Sequence, residues 1–331
     1  MESTEESLRS ALQEENRRFS DLHPTLKTHG LIVEKIIGRG AYSWVMKAID
    51  KNRKKYVAVK MISKRTANEN LIVKFIPREL DVIRELRHPH IIRFYDYIET
   101  TLWFYTVMQY AEEGTLLQLI KKQKKLSECQ TLIYFSQLAD ALEYVHKRGI
   151  AHRDIKCENI VLDASDTLKL IDFGFACRVR STGNKSGDKV PSPYFSTTFC
   201  GSLAYASPEL LSLTPYEPQP CDVWATGVVL YVMLFGRPPF SNSKNVTVLL
   251  EFISKGLCIP EGNKVSADVE QLMRQIFVPV GKRLNAAQLR RCSWMQRATR
   301  KTRSTENMKN GVACNGITDR KRVKLDDANK T

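Results

Sequence analysis

The sequence predicts a bilobal α+β fold. A small lobe over residues 29–108 holds a five-stranded antiparallel sheet and one helix, and a larger, mainly helical lobe covers residues 110–297. Three observations predict it. Short stretches that alternate apolar and polar side chains, separated by turns, fill residues 31–108. Beyond Tyr110 the apolar residues fall at helical spacing instead. The two ends differ from both: residues 1–28 are charged and only weakly helical in pattern, a flexible arm with room for one short helix, and residues 298–331 are polar and basic, a disordered tail.

The elements follow in order. Leu31 to Ile37 is a strand that runs into Gly38-Arg39-Gly40-Ala41-Tyr42-Ser43, and Trp44 to Ile49 is a second strand. After a basic turn at residues 51–55, Tyr56 to Lys60 alternates as an antiparallel strand should. From about residue 68 to Leu86 the spacing is helical, with Leu80, Ile83 and Leu86 on one face. Pro77 has no N–H to give, so it belongs in the first turn or at a kink. Ile91 to Ile98 and Leu102 to Met108 complete the sheet. Helices are expected at residues 115–122 and 128–148, the second closed by Gly149. Ile160 to Leu162 and Leu168 to Ile171 flank a turn, so two short strands would present the polar groups before and after them on one rim. Residues 178–193 are rich in Ser, Gly, Lys and Pro, a mobile loop. Asp222 to Phe235 is apolar all round, as a central buried helix is, and helices continue to about Trp294.

Composition narrows the function classes. Hydrophobic and charged fractions of 43% and 26% belong to a globular protein. A net charge of +15 suits acidic partners: nucleotide phosphates, acidic protein surfaces or nucleic acid. The cations are spread along the chain without aromatic interleaving, which disfavours nucleic acid. None of the eight cysteines forms a C-x-x-C pair, and they read as reduced thiols of an intracellular protein rather than metal ligands. The N-terminus has no apolar signal core, and the longest apolar stretch, residues 228–235, is too short to span a bilayer. A soluble, cytoplasmic protein with no membrane partner is expected.

The stretch from His152 to Asn159 crowds two cations, two carboxylates, an amide and an imidazole into one loop, and Asp172 follows one hairpin later. Either cluster alone reads as a solvated loop; the pair does not. Gly38-x-Gly40 lets backbone N–H groups approach phosphates, although a plain hairpin would satisfy the same pattern. Lys60 ends a strand, and Glu79, Asp81 and Glu85 on the next helix are all candidates to pair with it.

His152-Arg153-Asp154-x-Lys156-x-x-Asn159, followed by Asp172-Phe173-Gly174, resembles the catalytic loop and magnesium motif of the protein kinases, and the resemblance covers roughly residues 31–294. It implies ATP and Mg2+ as cofactors and proteins as substrates. Gly38, Arg39, Gly40, Ala41, Tyr42 and Ser43 would form the lid over the phosphates, with Ser43 in place of the third glycine. Val45 and Ala58 would cover one adenine face with Val161 beneath. Met108 would be the gatekeeper, and Gln109 and Ala111 would offer backbone groups. Lys60 would hold the α- and β-phosphates. The likeness of Arg78-Glu79-Leu80-Asp81-Val82-Ile83 to the αC pattern implies Glu79 as its partner. Asp172 and Asn159 would bind the metal, Asp154 would orient the substrate hydroxyl, and Lys156 would neutralise the transferring phosphoryl group. The lysine in this loop implies Ser/Thr specificity. Thr115 stands where many relatives carry an acid, which leaves Glu158 to meet a basic substrate side chain.

Thr197 to Glu209 resembles an activation segment. Thr198 takes the regulatory phosphosite, a target for an upstream activating kinase, and Arg153 would hold its phosphate. Glu209 would pair with Arg283, and Asp222 would brace the catalytic loop; both roles are structural. Asp172-Phe173-Gly174-Phe175-Ala176, Thr198 to Ser202 and Asp222 to Met233 are similar to the testis-specific serine/threonine kinases of the calcium/calmodulin-kinase-like group, which implies a role in sperm development. The insert before Tyr194 departs from that pattern, and no basic amphipathic helix for calmodulin follows the domain. A nucleotide-binding pseudokinase scaffold is the alternative; it would have lost one of Lys60, Asp154, Asn159 or Asp172, and all four are present. Lys321 to Asp326 looks like a nuclear-localisation signal, which implies an import receptor as partner and a nuclear fraction of the protein; a solubilising charge run is the bland reading.

Overall fold

The computed structural model describes residues 24–40, 43–67, 69, 72, 76–179, 195–240, 243, 245–262 and 264–296. Ala41, Tyr42, nearly all of the insert and the basic tail lie outside the described residues.

Helix α1 (Pro24–Thr28) leads into β1 (Leu31–Arg39), β2 (Ser43–Asp50), β3 (Lys55–Ser63), helix α2 (Ile76–Glu85), β4 (Phe94–Glu99) and β5 (Trp103–Gln109). The five strands form one antiparallel sheet in the order β1-β2-β3-β5-β4. Period-two alternation sorts its side chains. Met46, Ala48, Val57, Val59, Met61, Tyr105 and Val107 go to one core, which Leu26 of α1 caps at 1% exposure. The stretch expected to be a flexible arm therefore ends in an anchored turn of helix. Pro77 sits in the first turn of α2, where its missing N–H has no helical acceptor to lose.

The large lobe contains α3 (Leu116–Gln123), α4 (Glu128–Lys147), α5 (Pro208–Leu211), α6 (Pro218–Phe235), α7 (Val246–Ser254), α8 (Ala267–Ile276) and α9 (Ala286–Arg290). Two pairs of short strands accompany the helices among the described residues: β6 (Ile150–Ala151) pairs with β9 (Cys177–Arg178), and β7 (Ile160–Leu162) with β8 (Leu168–Leu170). Helix α6 starts four residues before the expected Asp222, because Pro218 and Pro220 fit a first turn that needs no N–H. It ends at Gly236, whose φ is 73° and whose position admits no Cβ: one would lie 2.1 Å from the carbonyl oxygen of Lys124. Fifteen of its 18 residues are buried, so it is the axis of the lobe.

The large core joins α4, α6, α8 and β7–β8 to Phe173, and it also takes Val82, Ile83 and Leu86 from the α2 region. Helix α2 thus packs on the large lobe as well as on the sheet. Backbone bonds reinforce the junction: Ile92 N donates to Leu170 O at 3.0 Å, and Leu170 N to His90 O at 2.9 Å.

Candidate active site

The sheet register places Val45 opposite Lys60, Lys60 opposite Thr106, and Ala58 opposite Met108. Opposed residues share a face, as do alternate residues of one strand. Val45, Ala58, Lys60 and Met108 therefore project together, away from the sheet core and toward the large lobe. Val161, on β7, stands on the large-lobe side. The N–H of Gln109 donates to Arg93 O at 2.8 Å, so of its two backbone groups only the carbonyl remains for a ligand. Gly40 N donates to Ser43 O at 2.7 Å and closes the turn between β1 and β2.

Lys60 reaches both lobes. Its Nζ donates to Glu79 Oε1 at 3.0 Å and to Asp172 Oδ1 at 2.9 Å. Burial works against the ammonium, but the Asp172 and Glu79 carboxylates outweigh it and raise its pKa. The Lys60 charge holds Asp172 down at about 2, so this carboxylate is ionised at neutral pH. Burial and the neighbouring Asp172 push Glu79 the other way, upward, against the pull of Lys60. The two other helix carboxylates have a different partner: Arg178 Nη2 meets Asp81 Oδ2 and Glu85 Oε2, each at 3.1 Å. Among the three candidates, Glu79 is the one on Lys60.

The catalytic loop hangs from α6. Asp222, 1% exposed, accepts from the backbone N–H groups of His152 and Arg153, both at 2.7 Å. Its Oδ2 also lies 2.9 Å from His146 Nε2. These anchors hold Arg153 at a φ of 67°, and Asp172 has a φ of 62°; left-handed backbone at a non-glycine residue costs about 1 kcal/mol or more and persists only where surroundings fix it. The His152 ring packs against Phe173 at 4.7 Å and so joins the two polar clusters.

Asp154 is clamped. Its Oδ2 accepts from Lys156 Nζ at 2.7 Å and from Asn159 Nδ2 at 2.8 Å, and Ser202 Oγ lies 3.4 Å from Oδ1. Ser202 Oγ also accepts from Lys156 Nζ at 3.1 Å. Because Asn159 directs its NH2 group at Asp154 O and Oδ2, its amide oxygen is the end left for a metal. That hard oxygen and the second oxygen of Asp172 suit Mg2+, which takes few protein ligands when phosphates supply the rest. Among the described residues no cluster of three or more His, Cys, Asp or Glu side chains makes an all-protein metal cage. Gly201, at φ 96°, brings the activation segment against the loop: a Cβ there would lie 2.7 Å from Arg153 O.

Thr198 is exposed, and the hydrogen bonds of the Arg153 guanidinium go to other groups. The guanidinium instead bonds Phe175 O at 2.6 Å and Ser196 Oγ at 3.2 Å, and that buried hydroxyl also accepts from Thr198 N at 3.2 Å. Tyr216 completes the arrangement by donating to Thr198 O at 2.7 Å. Ser196, Ser202 and Tyr216 were not among the expected site residues. Thr115 caps α3 reciprocally with Gln118, which gives this threonine a structural reason to replace an acid. Glu158 is exposed, with Tyr205 OH 3.5 Å from its Oε2. Glu209 and Arg283 form a two-pronged pair at 2.6 and 3.1 Å.

The family model described as "Protein kinase domain" matches residues 31–295. Testis-specific serine/threonine-protein kinase 4 of Homo sapiens is 36% identical over 280 residues, 82% of this chain and 84% of that protein. Testis-specific serine/threonine-protein kinase 3 of Homo sapiens is 38% identical over 255 residues, covering 77% of this chain and 91% of that protein. NUAK family SNF1-like kinase 1 of Mus musculus is 35% identical over 226 residues, 68% of this chain but 33% of that protein.

Proposed function

Since this chain belongs to the protein kinase family, as a serine/threonine protein kinase, we propose that it transfers the γ-phosphate of ATP to Ser or Thr hydroxyls of proteins with the residues just described. The observation that carries this is the convergence of two clamped carboxylates, Asp172 on Lys60 and Asp154 on Lys156 and Asn159, at the junction of the lobes. Lys60, held by Glu79, positions the α- and β-phosphates. Asp172 and Asn159 would hold Mg2+, which would offset phosphate charge. Asp154 accepts the hydrogen bond of the substrate hydroxyl and aims its oxygen in line, and Lys156 neutralises charge on the phosphoryl group. Lys60, Asp154, Asn159 and Asp172, of which a pseudokinase scaffold would have lost one, are all present and paired. Because positioning and charge neutralisation provide most of the rate, Asp172→Asn should lower phosphotransfer by at least ~100-fold with an unchanged circular-dichroism spectrum. Transfer to a peptide library at the wild-type rate would refute the assignment.

Thr198 is the regulatory phosphosite in this reading. A phosphate on this exposed hydroxyl would compete with Ser196 for Arg153 and form stronger, charge-assisted bonds. Thr198→Ala should reduce activity several-fold and leave the melting temperature unchanged; active protein with Thr198 unmodified by mass spectrometry would refute the switch. The names of the relatives support a role in sperm development, which staining of testis sections for this protein would test.

A further inference from the structure

A second charged recess lies on the small lobe, outside the nucleotide cleft. It is an open cavity of about 590 Å³ lined by Arg53, Lys55, Arg87, Arg93, Phe94 and Tyr95. Four cations and two aromatic rings line it, and no acid does. Of the nearby acids, Asp50 is buried and already carries Arg53 at 2.7 Å, and Asp96 lines the adjoining cavity.

The recess is arranged rather than diffuse. Lys55 Nζ donates to Tyr95 OH at 2.7 Å and lies 4.0 Å from the ring centre, while the Arg53 guanidinium stands over the same ring at 5.3 Å. Tyr95 is on β4 and Lys55 on β3, with β5 between, so the cations bridge about 10 Å of sheet width. On the far side, the Arg87 side chain bonds only the neighbouring Leu86 carbonyl among the described residues, and Arg93 is exposed. Cations spread along a trough match a row of anions better than one phosphate. An extended peptide sets alternate side chains on one side about 7 Å apart, and the aromatic rings can cover its backbone and methylenes.

We propose that this recess docks a carboxylate-rich, extended segment of a partner protein, away from the catalytic centre. The test uses the full-length chain and a fluorescein-labelled peptide of alternating Glu and Ser, followed by anisotropy. Binding should weaken at least tenfold between 50 and 300 mM salt, by screening of exposed charges at roughly those ionic strengths. Arg87→Glu/Arg93→Glu should weaken it at least tenfold at an unchanged melting temperature. Lys121→Glu, on α3 in the other lobe, should change it less than twofold.

Equal affinity of the double variant and the wild type would overturn the proposal, as would an equal loss from Lys121→Glu, which would make the attraction a property of net charge. Displacement of the peptide by a single-stranded RNA at lower concentration than by unlabelled peptide would assign the recess to nucleic acid instead. Carbodiimide cross-links from Glu5 or Glu6 of the same chain to Lys55 would replace the partner by the chain's own acidic N-terminal residues.

Discussion

His88 lies at the α2–β4 turn with its Nε2 3.4 Å from Asp140, its ring 4.7 Å from Tyr144 and 5.5 Å from His90. Burial, then the His90, Arg290, Arg148 and Lys169 charges, hold its pKa down to about 4, even though Asp140 faces it, because Asp140 is also paired with Arg290. A folded pKa below the usual 6.5 means that the fold favours the neutral ring. The stability this contributes is complete above pH 6.5 and is lost as pH falls from 6.5 toward 4. Melting curves over that range should therefore fall more steeply for the wild type than for His88→Gln, and parallel curves would refute it. At this scale the sequence was informative where chemistry is dense over a few positions, as at His152 to Asn159 and Asp172. It was silent on Ser196, Ser202 and Tyr216. A loop hydroxyl has no periodicity, and the partners of these lie up to 48 residues away. The resemblance chose Glu79 over Asp81 and Glu85, but spacing on the helix could not, because the partner that engages the other two, Arg178, is distant in sequence.

Among the elements, α5 and α6 meet the segment before α9 through Arg283. Its guanidinium binds Glu209, Pro220 O at 2.9 Å and Val278 O at 3.0 Å, and it lies 4.9 Å from the Trp224 ring. Removing it leaves the half-buried Glu209 carboxylate without its cation, which costs about 2–3 kcal/mol. Arg283→Ala should show that loss in urea unfolding, and Glu209→Leu/Arg283→Met should lose less, because neither charge remains. A loss under about 1 kcal/mol in the single variant would be that of an exposed surface pair and would contradict this reading. The strands of the sheet and the mostly apolar α6 were legible because alternation and a nearly unbroken apolar surface follow directly from burial. Strands β6 and β9 have two residues each, too few to show a period. The anchoring of α1 rests on one leucine in a polar stretch, so no pattern announced it.

At the scale of the molecule, the last core residues among those described are Trp294 and Met295. A chain cut after residue 305 should keep wild-type phosphotransfer, and we propose that it loses only nuclear import. A fluorescent fusion distributed alike with and without the tail would refute import, and loss of activity would show that the domain needs residues beyond 305. The core itself is divided: one cluster draws only on residues 26–107, whereas Val82, Ile83 and Leu86 belong with residues as distant as Met295. That division has a consequence for biosynthesis. The ribosome delivers the whole sheet core before the catalytic loop exists, so the small lobe can close early around one apolar helix face with nothing yet to cover it. At roughly 5–20 residues per second, the rest of the cluster to which this face belongs, out to Met295, arrives over the next ten to forty seconds or so. For that interval the nascent chain offers a chaperone a sticky surface beside an already folded sheet.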